Sequence, residues 1–401
     1  MKNVQKVQAL VIHLSHTDIS RDERILRSIR GVAAALDCQV WGLGIRSESS
    51  WVGSSDTPPN VKVHSIRLLL PRFWSRRFLT LKTRGASRGF RRALIFLFAN
   101  GVMFFVALAK TSAYKLTVVH IHDFQLLPAA LLLATLKGAN LIYDAHELES
   151  ARTGISRSEA NLTKRIEGWA WRRIAAFITV SPGILSWYHR EFGPKQSAVV
   201  LNSPYLRPIG GNQVEIQTLR TRLGIPNSRP VFVHVGLLTK GRGIETMLDV
   251  FASPQGEEFD IVFVGDGPLR EEIQSYCSKF DNVHLLKPVP NNEVVPLVSS
   301  ADFGIVLTEA VSESYILSLP NKLFEVGRAG IPVIASNVPE IKRVVDTYGL
   351  GIVVEPTFSG LSEGLQKILA RRGETIPFPY ELSQEYQAEK IQKLYATIIA
   401  S

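Results

Sequence analysis

The sequence has 401 residues, 45% hydrophobic and 20% charged, with a net charge of +10 and two cysteines. That length and composition allow two or three domains with ordinary cores. Cys38 and Cys277 lie too far apart in sequence to suggest a disulfide scaffold, and a reducing cytoplasm fits.

The N-terminus, MKNVQKVQALVIHLSH, runs straight into a strand pattern without the features of a signal peptide. Apolar runs then recur at 7–14, 38–45, 116–122, 140–146 and 175–181. A second series occupies 230–236, 259–265, 282–288, 302–308, 331–336 and 351–356. Helical patterns such as LREEIQSYCSKF separate them, so the reading is α/β with buried parallel sheets. Eleven strands are too many for one open sheet. The Pro/Gly/Asn-rich stretch 203–215 breaks them into two Rossmann-like domains, 1–203 and 204–380, facing a central cleft. The final helical segment, 381–401, is expected to pack back on the first domain.

Between Thr57 and His122 there is no acidic residue but there are twelve basic ones, more than the net charge of the whole chain. Such a face suits an anionic partner: a membrane surface, a nucleic acid or a phosphorylated substrate. Within it, Ala93 to Ala109 carries no charge. Seventeen helical residues span about 25 Å, short of the ~30 Å of a bilayer core. This helix is read either as a core element or as an interfacial anchor, with the basic, aromatic RFWSRRF beside it.

Three features carry chemistry in the second half. HVGLLTKGRGIETML follows a strand and precedes a helix, with glycines that admit phosphate and cations in Lys240 and Arg242. It lacks the order of an NTPase P-loop, and the first strand turn lacks GxGxxG, which argues against a dehydrogenase. VGDGPLREEI is a second strand–turn–helix. In SLPNKLFEVGRAG a helix begins at Asn321, with Pro320 read as its first position. Lys322 then lies at the positive end of the helix dipole, where it either bends away into water at a small cost or meets a bound anion.

These stretches, with IPVIASNVPEI and GLGIVVEP, resemble in order and spacing the donor half of retaining GT-B glycosyltransferases of family 4, in a subgroup bearing PNKLFE. SRDERILRSI, HIHDFQLLPA, LIYDAHELE and VVLNSP extend the resemblance into the first half. It implies that Gly236, Lys240, Arg242, Gly265, Pro290, Leu319, Asn321, Lys322 and Glu325 bind a nucleotide-sugar, with Glu325 on the ribose and Arg242 on the diphosphate. Two positions depart from the common pattern: Leu317 stands where a first glutamate is usual, and Leu237 where an arginine is. Pro320 also removes one N–H from the phosphate cradle.

In the first half His120, His122 and Asp123 end one strand, and His146 and Glu147 the next. A zinc site is one reading of such residues and core histidines another. The resemblance implies instead a catalytic group of His122, Asp123, His146 and Glu147 without metal, and an acceptor or phosphate contact at Arg24. The expectation is a cytoplasmic enzyme, peripheral on the inner membrane face through residues 67–110. It would move a sugar from a UDP-sugar to a lipid-linked saccharide, with no cofactor. A nucleotide-sugar 2-epimerase of the same fold is the rival enzyme. A nucleic-acid-binding protein using Phe73, Trp74, Phe78 and Phe90 is the rival outside catalysis.

Overall fold

A computed structural model describes residues 9–46, 58–67, 86–206 and 216–400, with side chains from residue 92 onward in the third span. Two compact units form: 1–200 with 388–401, and 201–387.

In the first unit, seven parallel strands run β1 (Ala9–Leu14), β2 (Gln39–Arg46), β3 (Val61–Arg67), β4 (Lys115–His122), β5 (Asn140–Ala145), β6 (Ile174–Thr179) and β7 (Ser197–Val199). Their spatial order is β3-β2-β1-β4-β5-β6-β7. The second unit holds β8 (Val231–Val235), β9 (Asp260–Val264), β10 (Val283–Leu286), β11 (Phe303–Val306), β12 (Val333–Ser336) and β13 (Gly351–Val354). These are ordered β10-β9-β8-β11-β12-β13. Chain order reverses between β1 and β4, and again between β8 and β11. In sheets of this kind ligands bind beyond the strand carboxyl ends at those points.

Each of the eleven apolar runs forms a strand. Two strands were not anticipated. β3 is an edge strand, half exposed, whose VKVHSIR alternates apolar with polar residues. β7 has three residues. With β3 present, the acid-free stretch is not one basic loop. Lys62 and Arg67 lie on β3, Arg92 and Lys110 on the helix Ala86–Lys110, and Lys115 on β4. Arg72, Arg76, Arg77, Lys82 and Arg84, and the aromatic residues Phe73, Trp74 and Phe78, lie outside the described residues.

The helix Ala86–Lys110 is neither wholly buried nor free. Asn100, Met103 and Ala107 form one buried stripe at helical spacing. The Asn100 amide donates to the Gln125 carbonyl at 2.9 Å, and its side-chain oxygen accepts from the Ala129 N–H at 3.0 Å. Around the rest of the helix Leu97 and Phe105 are 65% and 68% exposed, and 22% of the most apolar window is buried.

The last helix, Gln384–Ala400, supplies Ile391, Leu394, Tyr395 and Ile398 to the first unit's core beside Val11 and Val118. A second aromatic nest in that unit joins Tyr143, Trp171, Phe177 and Tyr188, with the buried Glu167 carboxylate accepting from the Tyr143 and Tyr188 hydroxyls at 2.7 and 2.5 Å. The second unit's core is built on Phe232, Phe251, Phe259, Phe263 and Phe303.

Candidate functional site

In the second unit the ends of β8 and β9 pass backbone against backbone. A Cβ at Gly265 would stand 1.9 Å from the Gly236 carbonyl oxygen, so only glycine fits there. The Gly236 N–H donates to the Val264 carbonyl and the Leu238 N–H to the Asp266 carbonyl, which fixes the loop that carries Lys240 and Arg242. Lys240 is exposed and Arg242 partly so.

The helix Asn321–Ala329 faces the same strand ends. Pro320 is its cap rather than its first helical residue, because ψ of 136° is extended. Lys322 is buried, and its Nζ lies 3.0 Å from His234 Nε2 on β8. His234 Nδ1 lies 3.1 Å from the Ile305 carbonyl, so Nδ1 carries the proton and Nε2 accepts from the lysine. Burial first, then Arg242, holds the Lys322 amine well below the usual lysine range, while Glu325 opposes them. An anion at the helix start would counter both effects. Asn321 and Pro290 are exposed, Leu319 and Gly265 are buried, and Glu325 is partly buried one turn beyond Lys322.

In the first unit the centre is Asp144, at the end of β5. Its Oδ2 lies 3.2 Å from His122 Nδ1, 3.3 Å from His146 Nε2 and 3.4 Å from His120 Nε2. His122 Nε2 meets His13 Nδ1 at 3.0 Å, and His120 Nδ1 accepts from the Tyr395 hydroxyl at 2.7 Å. His146 Nδ1 lies 2.9 Å from Asp123 Oδ1. With a carboxylate on each nitrogen, His146 is an imidazolium. Burial and Arg24 push its pKa down, but Asp123 and Asp144 raise it to about 10. Burial, then His122, lowers His120 to about 4, and burial with His120 lowers His13 as well, so both are neutral.

Asp123 is the one non-glycine residue at positive φ among the described residues, with φ 62°. Such strain collects at functional sites. It is held by the Asp123 N–H on the Asp144 carbonyl at 2.9 Å and by the His146 N–H on Asp123 Oδ1 at 3.3 Å. Burial pushes the Asp123 carboxyl up, but His146 and then Arg24 hold it well below the usual carboxylate range, and the Arg24 Nε is buried without a hydrogen-bond partner among the described residues. Glu147 pairs with Arg152 at 3.1 Å.

Arg24, Asp123 and His146 are therefore brought together electrostatically. His122 belongs to the same network but is fully buried, with both nitrogens engaged inside the unit, so it does not face outward as its place at a strand end suggested. Sequence reasoning missed Asp144, His13, Tyr395 and His234. A lone polar residue inside an apolar strand was the available signal for Asp144 and His234.

His13, His120 and His122 bring ligand atoms within 4.8 Å of one another, as do His122, Asp144 and His146. The rings of the first three are stacked, with centroids 4.4 Å apart for His13–His120 and for His120–His122 and interplanar angles of 28° and 19°. Within the first group His13 Nδ1 and His122 Nε2 face one another at 3.0 Å, one rung of a hydrogen-bonded ladder.

With this architecture in place, comparison with known proteins is direct. Residues 24–204 match the family described as Glycosyl transferase 4-like domain, and residues 229–371 match Glycosyl transferases group 1. The chain belongs to the group 1 glycosyltransferases, with both of their domains and a GT-B class of fold. It is 25% identical over 191 residues to TuaC of Bacillus subtilis (strain 168), named as a teichuronic acid biosynthesis glycosyltransferase. That match covers 47% of this chain and 43% of TuaC, so the chain aligns with under half the length of this relative. Sucrose-phosphate synthase from Thermosynechococcus elongatus superposes with a TM-score of 0.69 at 18% identity, covering 98% of this chain and 96% of its own. Anabaena HepE in complex with UDP-glucose gives a TM-score of 0.64 at 12% identity, covering 98% of each chain.

Proposed function

We propose that this chain transfers a sugar from a UDP-sugar to a saccharide carried on a lipid, in the assembly of a cell-surface polysaccharide. Transfer proceeds with retention at the anomeric carbon and requires no metal. The observation that carries this reading is the cationic helix start of the second unit, where Arg242 and the buried Lys322 influence one another and Glu325 follows one turn on. Lys322, Arg242, Lys240 and the helix N–H groups stabilise the departing diphosphate, and Glu325 receives the ribose hydroxyls. The UDP-glucose complex of HepE supports the choice of donor, and TuaC supports a polysaccharide product. Thermal-shift measurement against UDP-, GDP- and ADP-sugars tests it. A ligand at 100 times its Kd stabilises by about 2.7 kcal/mol. A protein indifferent to all three classes does not have this function.

In the first unit, Asp123 and Glu147 receive the acceptor hydroxyls, with Arg24 beside them. His146 orients Asp123, and His122 supports both from behind through Asp144. His122→Ala should cut sugar-transfer turnover and leave UDP affinity nearly unchanged, because the donor residues lie in the other unit. Wild-type turnover in this variant would limit His122 to packing.

The enzyme works on the cytoplasmic membrane face. Leu97 and Phe105 are exposed on the helix Ala86–Lys110, as are Leu132 and Leu136 on the helix Leu127–Lys137 packed beside it. Each basic residue near an anionic surface contributes about 1 kcal/mol, and salt screens it. Arg76, Arg77, Arg88, Arg91 and Arg92 changed together to Gln should release the protein from vesicles containing phosphatidylglycerol, while UDP still binds. A wild type that does not sediment with such vesicles at low salt has no membrane face here.

A further inference from the structure

The short helix Glu313–Leu317 lies beside the loop that carries Arg242. Ser312 caps it, its side chain accepting from the Tyr315 N–H at 3.2 Å. Tyr315 thereby presents its ring to the loop in two places. The Arg242 guanidinium carbon stands 4.5 Å from the ring centroid. The same ring covers Gly241, where a Cβ would come within 2.8 Å of Tyr315 Cε2 and 3.0 Å of Val311 Cγ2. The Glu309 N–H donates to the Gly241 carbonyl at 3.0 Å and closes the contact from the backbone. Gly241 is at φ +79°, a conformation that L side chains rarely adopt.

An arginine side chain has many rotamers, and ordering them on binding costs affinity. A ring stacked on the guanidinium removes much of that freedom beforehand. It also leaves the in-plane N–H groups at the guanidinium edge free for two phosphate oxygens. We propose that Tyr315 is a positioning residue that holds Arg242 ready for the diphosphate of the donor. This rests on the donor reading above and adds a part to it: an aromatic brace on the helix that carries Leu317, where the related pattern often has a glutamate. It also predicts that the gain is confined to ligands with a diphosphate, because the ring acts through Arg242 alone.

Calorimetry of UDP and ligand-observed NMR of uridine separate the possibilities, in the full chain carrying Tyr315→Phe, Tyr315→Leu, Arg242→Ala, or Tyr315→Leu with Arg242→Ala. Phe keeps the stacked ring and should bind UDP within about twofold of wild type. Leu fills space without a π face and should weaken UDP about 2- to 30-fold, the range of a cation–π contact, with uridine unchanged. In the Arg242→Ala background Tyr315→Leu should cost nothing further. Three results overturn the proposal: wild-type UDP affinity in Tyr315→Leu, an equal loss for uridine, or the same loss without Arg242. If Tyr315→Leu does not fold, a weakened Tyr315→Phe decides against the brace, since Phe preserves the stack. A wild type that binds no nucleoside diphosphate ends the donor reading and the brace together. UDP binding without a Tyr315 effect ends only the brace.

Discussion

Asp144→Ala lowers the stability of the first unit by about 3–5 kcal/mol, the usual cost of removing one partner from a buried charged pair. Three imidazoles lose a common acceptor at once, and the His146 imidazolium keeps only Asp123. For a unit of this size the melting temperature falls by on the order of 10 °C. Thermal melts followed by circular dichroism measure it. A variant melting within a degree or two of wild type would show that Asp144 is not the keystone of the ladder.

The same network sets a pH course. His146 keeps its proton to about 10 when folded, against 6.5 as the ordinary value, so its contribution is complete below 6.5 and is lost as pH rises toward 10. Glu149 and Glu167, pushed up by burial to about 8 and about 7, bind protons that the unfolded chain has already released. Their effect also falls on the alkaline side, beginning near 4.5. His13 and His120 act in the opposite direction: they stay neutral when folded, so stability drops as pH falls below 6.5. Between pH 6.5 and 8, His146, Glu149 and Glu167 all act with one sign. The wild-type melting temperature should decline across that range, and less steeply in Asp144→Ala, where His146 is less strongly raised. A flat profile in wild type would contradict the charge states assigned to these groups.

Glu325→Ala and Arg242→Ala should each weaken UDP binding by about 1–3 kcal/mol, roughly 5- to 150-fold, the cost of stranding a charged hydrogen-bond partner. In the proposed donor site the two act on different parts of the nucleotide. Arg242→Ala should therefore lose most of its effect when uridine replaces UDP, whereas Glu325→Ala should not. The helix dipole and Lys322 remain in both variants and set a floor under the loss. Calorimetry giving wild-type affinity for both would remove the nucleotide from this helix start.

What the sequence disclosed follows from locality. Parallel strands buried on both faces read as unbroken apolar runs, so β8, β9, β11 and β12 stood out. Glycines and cations in one eight-residue loop suggested an anion site, and Lys322 was conspicuous because a cation at a helix start needs a reason. β3 stayed hidden because an edge strand alternates and carries Lys62, His64 and Arg67 like any polar segment. Asp144 stayed hidden because its partners come from other strands and meet only after the register His13↔His120 and His122↔Asp144 is formed. Tyr315 and Arg242 are 73 positions apart, and no local pattern links them. His122 was visible as a strand-end residue, but the direction its ring takes depends on Asp144 and His13, which only the assembled sheet supplies.

Tyr395 reaches His120 from the last helix of the chain, and the first unit's core contains residues made before and after the whole of the second unit. On the ribosome, the domain begun first is therefore completed last. The second unit, continuous from Leu201 to Gln387, has its full core earlier. During that interval the slots for Ile391, Leu394 and Tyr395 are open apolar surface on a half-finished Rossmann sheet, exposed to chaperones and to aggregation. A chain lacking the residues from 388 onward would hold the whole of the second unit but not the helix side chains that complete the core of the first.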